Sequence, residues 1–206
     1  MGQRTVSVGA ASGDGRTARR DRNRDAVLDA VLELFSEDCL VPAAQDVAQR
    51  SGVSLRSVYR YYEDMDELVR AAIARNVERV APLFEVPEPG VGPLEDRIER
   101  LVTARLALYE EMAPTMRAAV MRARSNDLVR AQVDAARRRL LEQVEEMFRP
   151  ELRALPAAAR REVLSALDVL VGFESAEHLR RQRGLSGPEV RRTLARAAFG
   201  ILSTAG

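Results

Sequence analysis

The chain has 206 residues, 46% of them hydrophobic and 31% charged, with 32 basic residues against 31 acidic ones. That length suits one larger domain, or a small domain joined to a medium one. A net charge of +1 carries no nucleic-acid signature by itself, and one cysteine, Cys39, excludes an intrachain disulfide and a cysteine metal cluster.

Aromatic residues are only 4% and Trp is absent, so the core must be aliphatic. All the basic residues are Arg, which a GC-rich codon bias explains more simply than any function does. No stretch approaches the apolar run needed to span a bilayer. The opening residues hold no apolar segment of secretory-signal length. The expectation is a cytoplasmic protein without a membrane partner.

Residues 1–18 are small and polar, without periodicity, and read as a flexible arm. The recurrence of Ala26, Val27, Ala30, Val31, Leu34 and Phe35 predicts a helix from about Arg20 to Asp38. Pro42 marks the next start. A short helix over about Ala44–Arg50 is ended by Gly52, which supplies a left-handed conformation. Ser54 is a good N-cap for a helix over about Leu55–Tyr61. Asp64 caps a fourth, running to about Leu83, with Asp66 and Glu67 placed well against its N-terminal dipole.

Val86-Pro87-Glu88-Pro89-Gly90-Val91-Gly92-Pro93 is the clearest breaker in the chain. Beyond it, Leu94, Ile98, Leu101, Val102, Tyr109 and Met112 form one helical stripe. Pro114 is expected to open a short helix carrying Met116, Val120 and Met121. Leu128 to Phe148 forms a long stripe, and Pro150 and Pro156 precede a helix with Val163, Leu164, Leu167, Val171 and Ser175. Ser186-Gly187-Pro188-Glu189 resembles a capping box before a last helix. No strand signal or repeat occurs. The predicted fold class is all-α.

Two short helices joined by Ser51-Gly52-Val53 have the layout of a helix-turn-helix. Val53 and Val58 can fill the wedge between them, with Ala48 allowing close crossing and Tyr62 continuing the buried face. Leu55, Arg56, Ser57, Tyr59 and Arg60 then point away, at the end that such a helix presents to base edges. Arg16, Arg19, Arg20, Arg22 and Arg24 cluster near the start of the first helix, where they can track phosphates or stay solvated.

Phe35-Ser36-Glu37, Gln45-Asp46-Val47-Ala48, Ser51-Gly52-Val53-Ser54, Val58-Tyr59-Arg60-Tyr61-Tyr62 and Asp66-Glu67-Leu68-Val69 together resemble the DNA-binding signature of the TetR family of transcriptional regulators. The match covers about residues 20–72; the rest resembles the family in helix order. The resemblance implies an N-terminal three-helix DNA-reading domain, a connecting fourth helix, and a C-terminal helical core for ligand binding and dimerisation. It also implies double-stranded operator DNA as partner, read as an inverted repeat, and a small-molecule effector whose identity the residues leave open. Tyr59 and Tyr61 resemble the family's phosphate-binding pair. The sequence departs from the family at Cys39, where Gly is usual, at Ala43, where Thr is usual, and at Met65, where Lys is frequent. Glu63, Asp64, Asp66 and Glu67 make that edge acidic, and residues 1–70 carry ten Arg against twelve Asp and Glu. Such an edge costs phosphate affinity.

The domain expectation is an arm over 1–18, a helix-turn-helix over 19–63, and a regulatory and dimerisation domain over 64–206 that includes the connecting helix 64–84. The expected DNA contacts are Ser54, Leu55, Arg56, Ser57, Tyr59, Arg60 and Tyr61, with Arg19, Arg20 and Arg22. Arg56 can read guanine or touch a phosphate. Arg105 shares the face of Leu101, Val102 and Tyr109, so it projects into the core toward an anionic ligand or snorkels to water. Tyr109, Met112, Met116, Met121 and Phe148 either line an adaptable pocket with it or are ordinary core. Two late helices, Val163–Arg180 and Ser186–Leu202, are expected to pair with their two-fold mates in a homodimer, and a charge at Leu167 or Leu194 to dissociate it or to unfold it.

His178 lacks a ligand partner at metal spacing, and Arg137-Arg138-Arg139 reads as a wet helix face. No nucleophile–base pair, metal cluster or phosphate loop is present, so neither an enzyme nor a cofactor is expected. The leading reading is a ligand-responsive repressor. Its rival is a helical dimer acting through protein contacts, with a degenerate DNA-binding head.

Overall fold

The computed structural model describes residues 11–204, with side chains described from Gly15 and from Thr17 onward. Among these residues every regular element is helical: α1 (Ala11–Ser36), α2 (Ala44–Ser51), α3 (Leu55–Tyr61), α4 (Met65–Arg79), α5 (Leu94–Arg122), α6 (Asp127–Met147), α7 (Arg149–Ala154), α8 (Ala157–Leu170), α9 (Phe173–Glu177) and α10 (Gly187–Thr204). The chain divides into two compact units inside α4, between Arg75 and Asn76. The division lies beyond the position 63/64 expected from the sequence, because the first turns of α4 bury Leu68, Val69 and Ala72 in the first core. No described helix is long and apolar enough to cross a membrane.

In the first unit, α1 lays Val27, Ala30, Val31, Leu34 and Phe35 against Val47 of α2, Val58 of α3 and the start of α4, all buried. Within the described residues the helix already runs from Ala11, ahead of the start expected near Arg20. The expected arm is therefore corrected over 11–18; residues 1–10 lie outside the described part. Helix propagation accounts for the difference, since each added residue gains a bond without nucleating again. At its other end α1 closes with the Cys39 N–H on the Leu34 carbonyl (2.9 Å) and the Asp38 N–H on that of Phe35 (3.1 Å). The left-handed residue of this Schellman closure is Asp38, at φ 61°. Cys39 therefore does not need the freedom of Gly.

α2 has no side-chain acceptor at Ala43, but Asp46 still accepts the Ala43 N–H at 3.0 Å, half of a capping box. Arg50 holds Glu37 with two bonds of 2.9 and 2.8 Å and reaches Glu33 at 3.4 Å, pinning α2 to α1. Asp64 accepts the Glu67 N–H (2.7 Å), and Glu67 accepts the Glu63 N–H (2.6 Å). Two of the four carboxylates of the acidic edge are thus caps of α4.

The second unit has two packed clusters. One joins Ile98, Leu101 and Val102 of α5 with Val144 and Met147 of α6, Leu167 of α8, and Val190, Leu194 and Ala198 of α10. The other gathers Val80, Phe84, Leu108, Tyr109, Met112, Leu140 and Phe173. α5 runs through Pro114 without a break, so the expected short helix at that residue is not formed. Thr115, Ala118 and Ala119 continue its buried face, and that packing outweighs the roughly 3 kcal/mol a mid-helix proline costs. Asn76 donates to Thr115 at 2.8 Å in a buried pair. Asn126 caps α6, accepting from the N–H groups of Leu128 and Val129. Ser186 and Glu189 form the expected box before α10, the Glu189 carboxylate accepting the Ser186 N–H at 2.8 Å.

Arg97 is nearly buried and spends its donors on the carbonyls of Gly92 (3.0 Å) and Met147 (2.7 Å) and on both carboxylate oxygens of Glu151. The guanidinium holds the Glu151 carboxyl below the ordinary range. A carboxyl depressed in the folded state stabilises it fully above the unfolded value and loses that contribution as pH falls through the folded value. Glu151→Gln should destabilise the second unit by about 1–3 kcal/mol at neutral pH, less than a fully buried pair would lose, since Glu151 is partly solvated. It should also flatten the loss of melting temperature below about pH 4.5. Thermal denaturation of both proteins across pH 3–7 checks this, and identical acid limbs would count against it.

Candidate functional site

α3 owes its position to a tight turn and a buried wedge. Gly52 turns at φ 66°, a left-handed value that glycine adopts without strain. Ser54 caps α3, its hydroxyl accepting the Ser57 N–H at 3.3 Å. Val53, Val58 and Tyr62 are buried beneath, 7%, 1% and 2% exposed. With that face occupied, Arg56, Tyr59 and Arg60 stand in solvent, and Leu55 and Ser57 are half-buried.

The exposed residues divide by what already holds them. Ser54 also donates to the Ser57 hydroxyl at 3.0 Å, so both hydroxyls serve the cap. Arg60 donates to the Tyr61 hydroxyl at 3.2 Å and lies 5.1 Å from the centre of its ring. Arg60 foremost, with Asn23 and Arg20 contributing, holds that phenol below its ordinary pKa. Tyr61 is therefore oriented within a basic neighbourhood built by α1 and α3. Tyr62 is core as expected, with Arg24 5.3 Å from its ring centre and donating to its hydroxyl at 3.4 Å. Asn23 was absent from the site expected from sequence, and Arg24 entered it only as one of the arginines that can track phosphates, not as a partner of Tyr62. Their signal is helical spacing: Arg20 and Arg24 are four residues apart, on one face of α1. Arg19, Arg20 and Arg22 are exposed.

The second unit contains a cavity of about 400 Å³ lined by Arg105, Tyr109, Met116, Leu140, Val144 and the segment from Asp168 to Ser175, with Arg137 at its edge. Arg105 is 2% exposed and donates to the Leu140 carbonyl at 2.5 Å and to Gln143 at 2.8 Å. Gln143 is fixed in turn by donating to the Phe84 carbonyl. Burial lowers the Arg105 pKa from its ordinary value. Tyr109 donates to the Val171 carbonyl at 2.9 Å and meets Phe173 edge-on, with ring centres 5.6 Å apart; burial pushes its pKa up to about 12. Gly172 allows the sharp passage from α8 to α9, where a Cβ would lie 3.0 Å from the Asp168 carbonyl oxygen.

The expected pocket set is corrected at three residues. Met112 is packed with Val80 and Phe84, and Phe148 is fully buried in the other cluster. Met121 is 39% exposed, because α5 continues through Pro114 and buries Thr115, Ala118 and Ala119 while leaving Met121 to solvent. The sequence reading missed Asp168, Phe173 and their neighbours. Gly172 inside an apolar stripe was the available signal. Leu167 and Leu194 are both buried in the core of a single chain, 0% and 2% exposed, so of the two outcomes expected of a charge there, dissociation or unfolding, their burial favours unfolding. The exposed apolar side chain on α10 is Phe199. His178 and Arg137 to Arg139 are exposed, Arg137 paired with Glu174 at 2.5 Å and Arg139 5.0 Å from the Phe84 ring centre.

No family model matches the chain. It is 36% identical over 90 residues to the HTH-type transcriptional repressor LfrR of Mycolicibacterium smegmatis, a match covering 43% of this chain. The chain spans about half the length, 47%, of that curated relative. A TetR-family transcriptional regulator from Streptomyces coelicolor superposes with a TM-score of 0.69 at 24% identity, over 90% of this chain and 82% of the other. A TetR-like transcriptional regulator from a Rhodococcus species gives 0.67 at 19% identity, over 88% and 96%. With this helix order, this turn and these structural relatives, the chain has the all-helical fold of the TetR family of transcriptional regulators.

Proposed function

We propose that this chain is a ligand-responsive transcriptional repressor that binds an inverted-repeat operator as a homodimer. The observation that carries the reading is α3: a capped helix start with Arg56, Tyr59 and Arg60 exposed above a buried wedge. That is the arrangement in which a helix enters the major groove. Exposed Phe199 on α10 supports a self-pairing face, and the cavity beside Arg105 supports an effector site. An effector acts by binding one conformation better than the other, which shifts the protein away from its operator-bound form. Asp64 and Glu67 have a local task as caps, so the acidic edge is no longer a separate argument for a degenerate head.

Binding-site selection with the purified protein and random duplex DNA tests the reading, and an enriched inverted repeat is the expected outcome. Recovery of unenriched sequence at moderate salt would overturn it. On the selected operator, replacing Arg19, Arg20 and Arg22 together with Gln should flatten the plot of log affinity against log salt. The slope should fall by roughly 1 for each phosphate that is no longer neutralised, up to about 3. An unchanged slope would mean these side chains stay solvated.

A further inference from the structure

The cavity of the second unit has a charge pattern that points to a class of ligand, given the reading of this unit as an effector domain. At its deep end Arg105 is held from behind by a carbonyl and an amide oxygen, neither of them an anion. Its Nε is buried and has no hydrogen-bond partner. A guanidinium in this state has lost its water and gained no directly paired anion, only the field of Asp168 across the cavity, and that is costly. At the mouth, Arg137 and Glu174 pair with each other and cancel. Asp168 is half-buried and shallower than Arg105, and no ion pair joins the two. Met116, Leu140, Val144, Val171 and Phe173 supply apolar wall. The volume, about 400 Å³, falls within the roughly 300–1,000 Å³ of small-molecule sites.

We infer that this cavity takes a small organic anion, its carboxylate or sulfonate head seated on Arg105 and its apolar body lying along Met116, Val144 and Phe173. The head accepts from guanidinium donors that the protein leaves unused, and a charge-assisted bond of this kind is the strong one in a dry site. A cation does not fit as well. It would meet Arg105 at depth, and of the two carboxylates at the rim, Glu174 is already paired.

Two fluorescent probes with one aromatic body separate charge from shape: anilinonaphthalenesulfonate, an anion, and neutral phenylnaphthylamine. Both are titrated into the full chain without DNA. The sulfonate should bind one to one and roughly 10-fold or more tighter than the neutral probe, as expected of a hydrogen bond to a charged group. Arg105→Gln should bring the sulfonate down to the neutral probe's affinity and leave that probe unchanged. The exposed Arg138→Gln should alter neither. If Arg105→Gln does not fold, Asp168→Asn decides the matter. It removes the competing carboxylate and should tighten the sulfonate by roughly 2–5-fold without affecting the neutral probe. Decanoate should displace the sulfonate at lower concentration than decyltrimethylammonium.

Equal affinity for the two probes, weaker sulfonate binding in Asp168→Asn, or stronger displacement by the cation would each overturn the inference. Because the readout is binding to the free protein, any of these leaves the DNA-reading proposal standing. Tight sulfonate binding that never releases operator would instead sink the sensor role and leave the site intact.

Discussion

Leu167→Glu is expected to unfold the second unit, while Phe199→Glu leaves it folded and splits the proposed dimer. Leu167 is fully buried among residues of α5, α6 and α10. A carboxylate there has no partner and no water, and a change of this kind costs more than about 4 kcal/mol, much of a domain's total stability. Phe199 is 39% exposed on α10, so a single folded chain tolerates a charge at that position. An isologous interface over that face would bring two such charges together across the two-fold axis and bury them. Circular dichroism should show a loss of helix in Leu167→Glu and native helix in Phe199→Glu. Sedimentation should find the native chain as a dimer and Phe199→Glu as a monomer. A native chain that sediments as a monomer at micromolar concentration removes the dimer. A Phe199→Glu dimer moves the interface to another face.

On the selected operator, Arg56→Ala should cost about 1–3 kcal/mol and relax preference at one base pair in each half-site. Arg56 is exposed, two residues past the cap, and no described residue of the first unit occupies its guanidinium. Its forked donors are free to match the two acceptors of guanine. Tyr59→Phe and Tyr61→Phe should instead weaken cognate and variant operators alike, since a phosphate bond carries no sequence information. The two tyrosines should also differ from each other. Tyr59 is 52% exposed, whereas Tyr61 is positioned by Arg60, so Tyr61→Phe also frees that arginine. Competition binding across a library of operator variants separates these outcomes. A uniform loss for Arg56→Ala, with altered base preference in a tyrosine variant, would reverse the assigned roles.

How far these residues could be read in advance depended on the range of the interactions that place them. The head of the molecule was legible because its determinants are local. Gly52, the Ser54 cap and the spacing of Val53, Val58 and Tyr62 each act within a turn or two, and together they decide which side of α3 faces out. The cap of α10 at Ser186 and Glu189, and the all-helical class, are local in the same sense. The course of α5 was not legible. A proline in a sequence predicts an end, and only the tertiary burial of Thr115, Ala118 and Ala119, with Asn76 of α4 donating to Thr115, makes continuation the better solution.

The ligand cavity lies at the far extreme. A stripe on α5 shows that Arg105 faces inward, but not what meets it there. Asp168, Gly172 and Phe173 come from more than sixty residues downstream, and the stripe that contains Leu167 looks alike whether it packs within one chain or between two. Periodicity reports that a side chain is covered. What covers it is decided by packing among distant segments, and that is why Leu167 became core, Phe199 became surface, and Arg105 came to face a cavity in which no carboxylate is paired with it.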